Sequence, residues 1–393
     1  MKSRSRTTLS HEGRYYLLVL AFIFGIAMFK EMNLLVLMAG MLLGPLVISY
    51  RVVALTSQGL KLRRQMPRGV SAGDSLVVSV ELENSRRKTG CWGLRVEDEI
   101  HREGSPREEL LRPSVWYPYV SAGTSAYQTY RGRLAQRGRY RFGPLTASTR
   151  FPFGLFERTV RIDSDEILTV YPRLGHLSSQ WNRRHHEVVE GARHRERRHG
   201  RSTGEFFGVR QWRYGDNRRW IHWRSSARHG TLVVRQFEQH RNRDVAILVD
   251  LWQPERPEPR HLAHVELAVS FAATLISEVC RQETSDLLLG LAAAEPIIVQ
   301  GIATVGLRHE SMDRLALIEA SHADHLEALL QQAIVHVASG TEIVLVTTRE
   351  IDWTAREEMA GLWRIATRRT MRGNIRIVNT SDEALSDYFR VEF

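Results

Sequence analysis

The sequence predicts a multidomain protein: an N-terminal transmembrane helical hairpin, a β-sandwich-like domain, and a C-terminal α/β domain with a parallel sheet. Three observations carry that expectation. Two apolar runs lie close together near the start. Alternating apolar and polar segments punctuated by Gly and Pro follow, and short apolar runs then alternate with amphipathic helical stretches. The 393 residues, 43% hydrophobic and 25% charged, suffice for two or three globular domains and do not have the composition of a disordered chain.

Residues 1–14 form a basic N-terminus with Lys2, Arg4, Arg6 and Arg14. Tyr15 to Phe29 is then apolar or small, Lys30 to Asn33 interrupts, and Leu34 to Tyr50 is apolar again, with Gly40, Gly44 and Pro45 inside. A span wants about 20 residues; Met32 and Val52 to Leu55 extend the two runs and Lys30 can snorkel, which predicts a hairpin over residues 15–55. A cleaved leader fits poorly, because no small-residue cleavage site follows the first run and a second run comes almost at once. Arg51, Lys61, Arg63 and Arg64 follow the hairpin, whereas its turn holds one Lys and one Glu. Both flanks are therefore expected on the cytoplasmic side of the inner membrane, with everything beyond in the cytoplasm. Cys91 and Cys280, far apart and without CxxC partners, read as buried thiols in a reducing compartment.

Residues 65–175 read as the β-domain. Asp74 to Asn84, Trp92 to Val96, Ala126 to Leu134 and Arg139 to Phe142 alternate as strands, and Phe151 to Phe156 reads as a turn with aromatic anchors. A basic linker follows over residues 180–203. By count, residues 180–244 carry 16 basic and 7 acidic groups and residues 245–393 carry 13 and 22, within a whole-chain net charge of +11. Three partners suit such a basic stretch: an anionic leaflet, nucleic acid, or an acidic protein surface. The protein surface is favoured for the central motif and the leaflet for segments beside the hairpin. His185, His186, His194 and His199 stand among arginines, which disfavours a metal ion and predicts a solvated loop.

Residues 204–244 form the densest stretch. Tyr214-Gly215-Asp216-Asn217 reads as a turn, because Gly tolerates positive φ and Asp and Asn bond nearby amides. Arg218, Trp220, Ile221, Trp223 and Arg224 then suit either a short helix or an irregular rim, with Asp216 placed to cap it or to pair with Arg218 or Arg219. Thr231 to Glu238 alternates as a strand. The run EFFGVRQWRYGDNRRWIHWRSSARHGTLVVRQFE resembles the signature of domain-of-unknown-function family fifty-eight, E-F-x-x-[LV]-R-x-[YW]-x-x-G-D-x-x-R-x-I-x-W-x-x-[ST]-A-[RK], at nearly every patterned position. Arg137 to Pro144 and Phe151 to Phe156 resemble that family's upstream segment. The resemblance implies an accessory protein found alongside MoxR-type AAA+ ATPases, with a von Willebrand factor A-like domain after the motif.

Residues 245–393 are that α/β domain. Val245 to Leu251 is the first strand; further strands are predicted at Leu287 to Leu291, Ile297 to Val299, Ile343 to Val346 and Ile375 to Val378. Helices are predicted at His261 to Ile276, Met312 to Ala320, His325 to Val337 and Ala355 to Ala366. Ligands of such sheets bind beyond the strand carboxyl ends, where Asp250 falls. A von Willebrand A domain carries Asp-x-Ser-x-Ser there, but this chain has Asp250-Leu251-Trp252-Gln253-Pro254, which lacks both serines. No metal and no other cofactor is expected, and Asp250 is expected to cap or to pair with a motif arginine. No P-loop, HExxH or GxSxG is present, and Ser225 and Ser226 beside His222 lack an acid placed to orient the histidine.

The expectation is a membrane-anchored cytoplasmic adaptor, not an enzyme, that touches membrane lipids and, by the resemblance, works with a MoxR-type AAA+ ATPase in a chaperone-like or envelope-related process. Arg210, Gly215, Asp216, Arg218, Trp223 and Arg228 are its expected junction, with Trp223 as anchor and the arginines paired to acids such as Asp250. The alternatives are a metal-dependent membrane-associated enzyme or a nucleic-acid binder.

Overall fold

The computed structural model describes residues 3–30, 33–56, 59–104, 110–179, 181, 205–214, 216, 218–238, 244–282, 285–337, 341–350 and 375–391. The chain divides into two compact units, Met1–Tyr171 and Pro172–Phe393. The helix expected at Ala355 to Ala366 and nearly all of the basic linker lie outside the described residues.

The first unit opens with β1 (Ser3–Leu9), followed by the helices α1 (His11–Lys30) and α2 (Asn33–Thr56), each long and apolar enough to cross a membrane. Most of their apolar side chains are exposed. A narrow seam is buried, with Gly13, Leu20 and Ala27 on α1 and Ala39, Ser49 and Val53 on α2; small residues there let two helices approach closely. Pro45 inside α2 has no N–H to offer the carbonyl of Met41, and beside that gap Tyr16 donates to the Leu42 carbonyl at 2.7 Å.

The strands β2 (Leu60–Gln65), β3 (Gly69–Ser71), β4 (Ser75–Asn84), β5 (Cys91–Glu97), β6 (Ile100–Arg102), β7 (Ser114–Val120), β8 (Ser125–Arg133), β9 (Gly138–Phe142), β10 (Leu145–Thr149), β11 (Phe156–Ile162) and β12 (Glu166–Tyr171) complete the unit. They form sheets in the orders β1-β11-β10-β5-β7, β3-β12-β9-β6 and β2-β4-β8. Strand β4 buries alternate residues along its length, as a strand with one wet face must. Val80 and Leu82 join a core with Leu94, Tyr117 and Leu145, while Leu76 and Val78 join a second core with Phe142, Leu168 and Val170.

The fold adds two constraints on the cations here. Within the basic N-terminus, Ser3 to Leu9 pairs antiparallel with β11 from Ile162 to Phe156. Not every cation flanking the hairpin is available to a membrane surface. The Arg64 side chain is fully buried against Asp98, and Lys61 pairs with Glu83 at 2.7 Å. Local charge counting does not see an acid that the fold brings from 34 residues away.

Both helix ends are tied to the sheets. Ser10 caps α1, its Oγ accepting from the Gly13 N–H at 2.8 Å and donating to the Leu155 carbonyl at 2.9 Å. A Cβ on Gly13 would lie 2.1 Å from the Leu155 carbonyl oxygen, whereas one on Gly25 would meet nothing within 4 Å. Gly13→Ala is therefore expected to cost about 1–3 kcal/mol and to speed amide exchange over Ser3 to Gly13, with Gly25→Ala as the silent control. Equal exchange in both variants would show that the cap does not hold the strand.

The second unit starts with β13 (His176–Leu177), then β14 (Glu205–Gln211), the short helix α3 (Trp223–His229), β15 (Val233–Glu238), β16 (Val245–Asp250) and the long helix α4 (Pro259–Gln282). The elements β17 (Asp286–Leu291), β18 (Ile297–Ile302), α5 (Val305–Leu317), α6 (Leu326–His336), β19 (Glu342–Thr347), β20 (Ile375–Asn379) and β21 (Phe389–Arg390) follow. The main sheet runs β18-β17-β16-β19-β20, the order of a doubly wound α/β sheet. It is mixed rather than wholly parallel, because β18 runs antiparallel to β17. Leu291 and Ile297 are too close in sequence for the crossover that a parallel pair requires, so the chain turns back as a hairpin.

All six residues of β16 are buried. Ala246 and Leu248 pack with Leu329, Leu330 and Ala333 of α6, and α4 covers β16, β17 and β19 through buried residues such as Ala268, Phe271, Ala272 and Ile276. Helix α4 is also long and apolar enough to cross a membrane, but 56% of its apolar window is buried. Residues 172–181, expected at the edge of the β-domain or in the linker, belong to this unit. The Arg173 carbonyl accepts from Ser270, the Gly175 N–H donates to Thr274, and Trp181 lies edge-on to Phe271 at 5.2 Å.

Candidate functional site

The motif is a two-stranded ribbon with its active-looking residues in the excursion between the strands. β14 pairs antiparallel with β15, with a register shift between Phe206 and Gly208. After β14 the chain makes one 3-10 turn at Arg218–Trp220 and the seven-residue helix α3, then returns. Asp216 braces this excursion. Its carboxylate takes two bonds from Arg210, 2.7 and 2.8 Å, and a third from the Arg213 N–H at 2.8 Å. That fork-to-fork pairing holds the Asp216 carboxyl below its ordinary range, with Arg210 the largest cause and partial burial opposing it.

The small polar residues of the motif are structural. His222 caps α3, its Nδ1 accepting from the Ser225 N–H at 3.2 Å. The Oγ of Ser226 is buried, accepts from the Val233 N–H at 2.9 Å and donates to the His222 carbonyl at 3.1 Å, stitching the helix to β15. Gly230 ends α3 in the left-handed conformation at φ 66°. Neither serine is placed as a nucleophile with His222 as its base, because the histidine nitrogen facing them accepts a backbone bond.

What the ribbon exposes is cationic and aromatic. Arg213, Arg218, Arg219, Arg224, Arg228 and Arg235 are exposed. Trp223 is 68% and Tyr214 100% exposed. Trp223, expected to anchor a junction, thus lies at the surface: the inward face of α3 is taken by Ser226, and its first residue points away. Arg210 and Asp216 are brought together, Arg218 and Arg228 are at the surface, and Gly215 lies outside the described residues.

A second cluster sits at the carboxyl end of the main sheet. Asp250, 2% exposed, ends β16. The Nε of Arg349 lies 3.2 Å from Asp250 Oδ2 and its Nη2 2.6 Å from Asp324 Oδ1, so one guanidinium bridges two carboxylates. Thr347 donates to Asp250 at 3.3 Å, and the Arg349 guanidinium lies 5.3 Å from the centre of the Trp252 ring. Burial pushes the Asp250 carboxyl above its ordinary value, Arg349 pulls it down, and Asp324 pushes it up again. Among the described residues, then, the partner of Asp250 is Arg349 rather than a motif arginine. The Trp252 indole is also engaged, donating to the His322 carbonyl at 3.0 Å. No group of three or more His, Cys, Asp or Glu able to hold a metal ion occurs among the described residues.

Sequence reasoning did not find Arg349 or Asp324. The rule that sheets bind ligands at strand carboxyl ends points to the residues after Val346, but the pairing between loops 99 residues apart has no local signature.

Comparison with known proteins places the ribbon and the α/β domain together. Residues 208–387 match the family described as protein of unknown function DUF58. A relative from Bacillus subtilis (strain 168), the uncharacterized protein YeaD, is 28% identical over 229 residues, covering 56% of this chain and 52% of its own length. The chain thus spans about half the length of that curated relative. Solved structures similar to short stretches include the CARDB domain of a Pyrococcus furiosus protein, 15% identical over 28% of this chain and 94% of that domain. Another is the superoxide reductase neelaredoxin of Ignicoccus hospitalis, 14% identical over 28% of this chain and 80% of that one; both have TM-scores of 0.20, at which a likeness carries no argument. Together, the motif in its ribbon and the match beginning at residue 208 lead to one conclusion: over residues 208–387 the chain carries a domain of the DUF58 family of proteins of unknown function.

Proposed function

We propose that the protein is a membrane-anchored adaptor whose ribbon is the docking surface for a partner protein. The observation that carries this is the exposure of Trp223, Tyr214 and five arginines on an excursion braced from beneath by Arg210 and Asp216. Trp, Tyr and Arg dominate binding energy at protein interfaces, and a braced support lowers the ordering cost of presenting them. The excess of positive charge selects an acidic partner surface. The resemblance of the motif supplies the partner class, a MoxR-type AAA+ ATPase, and a von Willebrand factor A-like character for the α/β domain. The hairpin is read as two spans of the inner membrane with both soluble units in the cytoplasm, which suits a partner that binds ATP.

The test is capture from a native membrane extract with the detergent-solubilised full chain, with and without ATP. An AAA+ ATPase is expected among the captured proteins, with its yield cut about tenfold by Trp223→Ala together with Arg224→Glu. Undiminished capture by this surface variant would remove the ribbon from the interface, and no ATPase captured by a folded bait would sink the partner class. Salt-insensitive failure to retain DNA separates this reading from a nucleic-acid binder.

A further inference from the structure

We propose that the rim of the first unit between the roots of α1 and α2 is an interfacial surface, seated in the headgroup layer of an anionic bilayer through exposed aromatic rings and flanking cations. The inference rests on the reading of the helical hairpin as membrane-spanning.

The two helix roots fix where that rim lies. At the α1 root, the Oγ of Ser10 donates to the Gly154 and Leu155 carbonyls at 2.5 and 2.9 Å. At the α2 root, Arg86 donates to the last carbonyls of the helix, Leu55 at 2.6 Å and Thr56 at 3.3 Å, and Cationic caps of this kind also favour the helix dipole. Between the two roots lies a run of aromatic residues. The same Arg86 donates to the Gly90 carbonyl at 3.1 Å, and a Cβ on Gly90 would lie 2.4 Å from the Tyr119 ring. Tyr119 meets Trp92 with ring centres 4.2 Å apart, and Trp92 stacks on Phe151 at 5.6 Å with 15° between the planes. Phe153 then leads into Gly154, which accepts from Ser10.

These rings are not a core. Trp92, Tyr119, Phe151 and Phe153 are 45, 46, 39 and 53% exposed, and Trp116, opposite Arg95 on the neighbouring strand, is 55% exposed. A contiguous aromatic patch of this kind marks a contact surface. Its occupant is indicated by continuity: Phe156, at the start of β11, meets Tyr50 of α2 at 5.5 Å, so the patch runs directly into the exposed apolar flank of the helices. Trp and Tyr prefer the depth at which hydrocarbon gives way to headgroups, because the ring is apolar and its polar edge needs water. Charge agrees. Arg14 near the α1 root, Arg51 near the α2 root, and Arg87 and Lys88 directly after Arg86 are exposed. The acids beside the row, Glu97 and Glu157, are ion-paired to Arg95 and Arg150 at 3.0 and 2.9 Å. Such cations favour anionic lipid.

The sequence makes the test direct, because none of the nine tryptophans lies in α1 or α2. The full chain is reconstituted into vesicles of phosphatidylcholine and phosphatidylglycerol brominated close to the headgroup, and quenching of tryptophan emission is measured. The wild type is expected to be quenched, and Trp92→Phe with Trp116→Phe to lower the quenched fraction about twofold. Arg87→Glu with Lys88→Glu, which keeps every ring, is expected to lower quenching in anionic but not in zwitterionic vesicles. The proposal is overturned if the double tryptophan variant is quenched like the wild type while both resist alkaline carbonate extraction. Release of the wild type by carbonate would instead overturn the hairpin reading on which the proposal stands, so the two failures are distinguishable.

Discussion

Asp98→Ala is expected to destabilise the first unit by about 3–5 kcal/mol, because it takes from a buried guanidinium its close, buried partner and leaves only the partly exposed Glu166 at 3.5 Å. Arg64 and Asp98 are 0 and 1% exposed at their side chains and meet through two bonds, Nε to Oδ2 at 2.8 Å and Nη2 to Oδ1 at 2.5 Å. Arg64 also donates to the Gly143 carbonyl at 2.8 Å and lies 5.2 Å from the centre of the Phe142 ring. Tyr130 donates to Asp98 at 2.6 Å, and burial together with the charge of Asp98 pushes its phenol well up, so it remains a donor throughout. This network ties β2, the strand directly after the hairpin, to the link between β5 and β6, to β8 and to the end of β9. At about 2–4 °C per kcal/mol, the variant should melt roughly 6–20 °C lower. The double variant Arg64→Met with Asp98→Leu removes both charges and is expected to recover much of the loss, since a desolvated pair contributes far less than its broken half costs. A double variant no more stable than Asp98→Ala would mean that the network holds the sheets by geometry rather than by charge compensation.

Arg349→Met is the counterpart in the second unit, and its effect depends on pH. Asp250 has a folded-state pKa raised above its unfolded value, chiefly by burial. Such a carboxyl contributes stability that is fully present below the unfolded pKa and is lost as pH rises through the folded one. Arg349 pulls the folded pKa down, so removing it pushes that value further up and extends the loss to higher pH. The variant is expected to melt close to the wild type near about pH 4 and to fall behind it toward neutrality, by about 3–5 kcal/mol for an uncompensated buried charge. Adding Asp250→Asn should flatten the pH dependence. A deficit independent of pH would show that Arg349 acts through its packing over Trp252 and its bond to Asp324 rather than through the charge of Asp250.

These two clusters show where sequence reasoning stops. Arg64 reads locally as one more cation beside a membrane span, and only the sheet arrangement turns it inward to meet Asp98. Asp250 is identifiable from its place at the end of an apolar strand, but its partner comes from the end of β19, because adjacent parallel strands bring their carboxyl ends together however far apart they lie in the chain. The antiparallel β18 was hidden for a different reason: apolar periodicity gives strand identity but not direction, and only the shortness of the link from Leu291 to Ile297 reveals the reversal.

What the sequence determined by itself is the set of features encoded within a single element. The length of the two apolar runs requires helices, the alternation from Ser75 to Asn84 requires a strand with one buried face, and the continuous run Val245 to Asp250 requires a strand covered on both sides. The turn chemistry around Asp216 was legible for the same reason, although its arginine partner proved to be Arg210, six residues before it, rather than Arg218 or Arg219. Tertiary structure alone decided which cations are exposed and which are consumed in pairs, that Ser3 to Leu9 closes the edge of a sheet, that Trp223 faces outward, and that a run of aromatic residues lies between the two helix roots. Each of these depends on contacts between residues distant in the chain, whose free energy is shared among sheets and carries no signature in any local window.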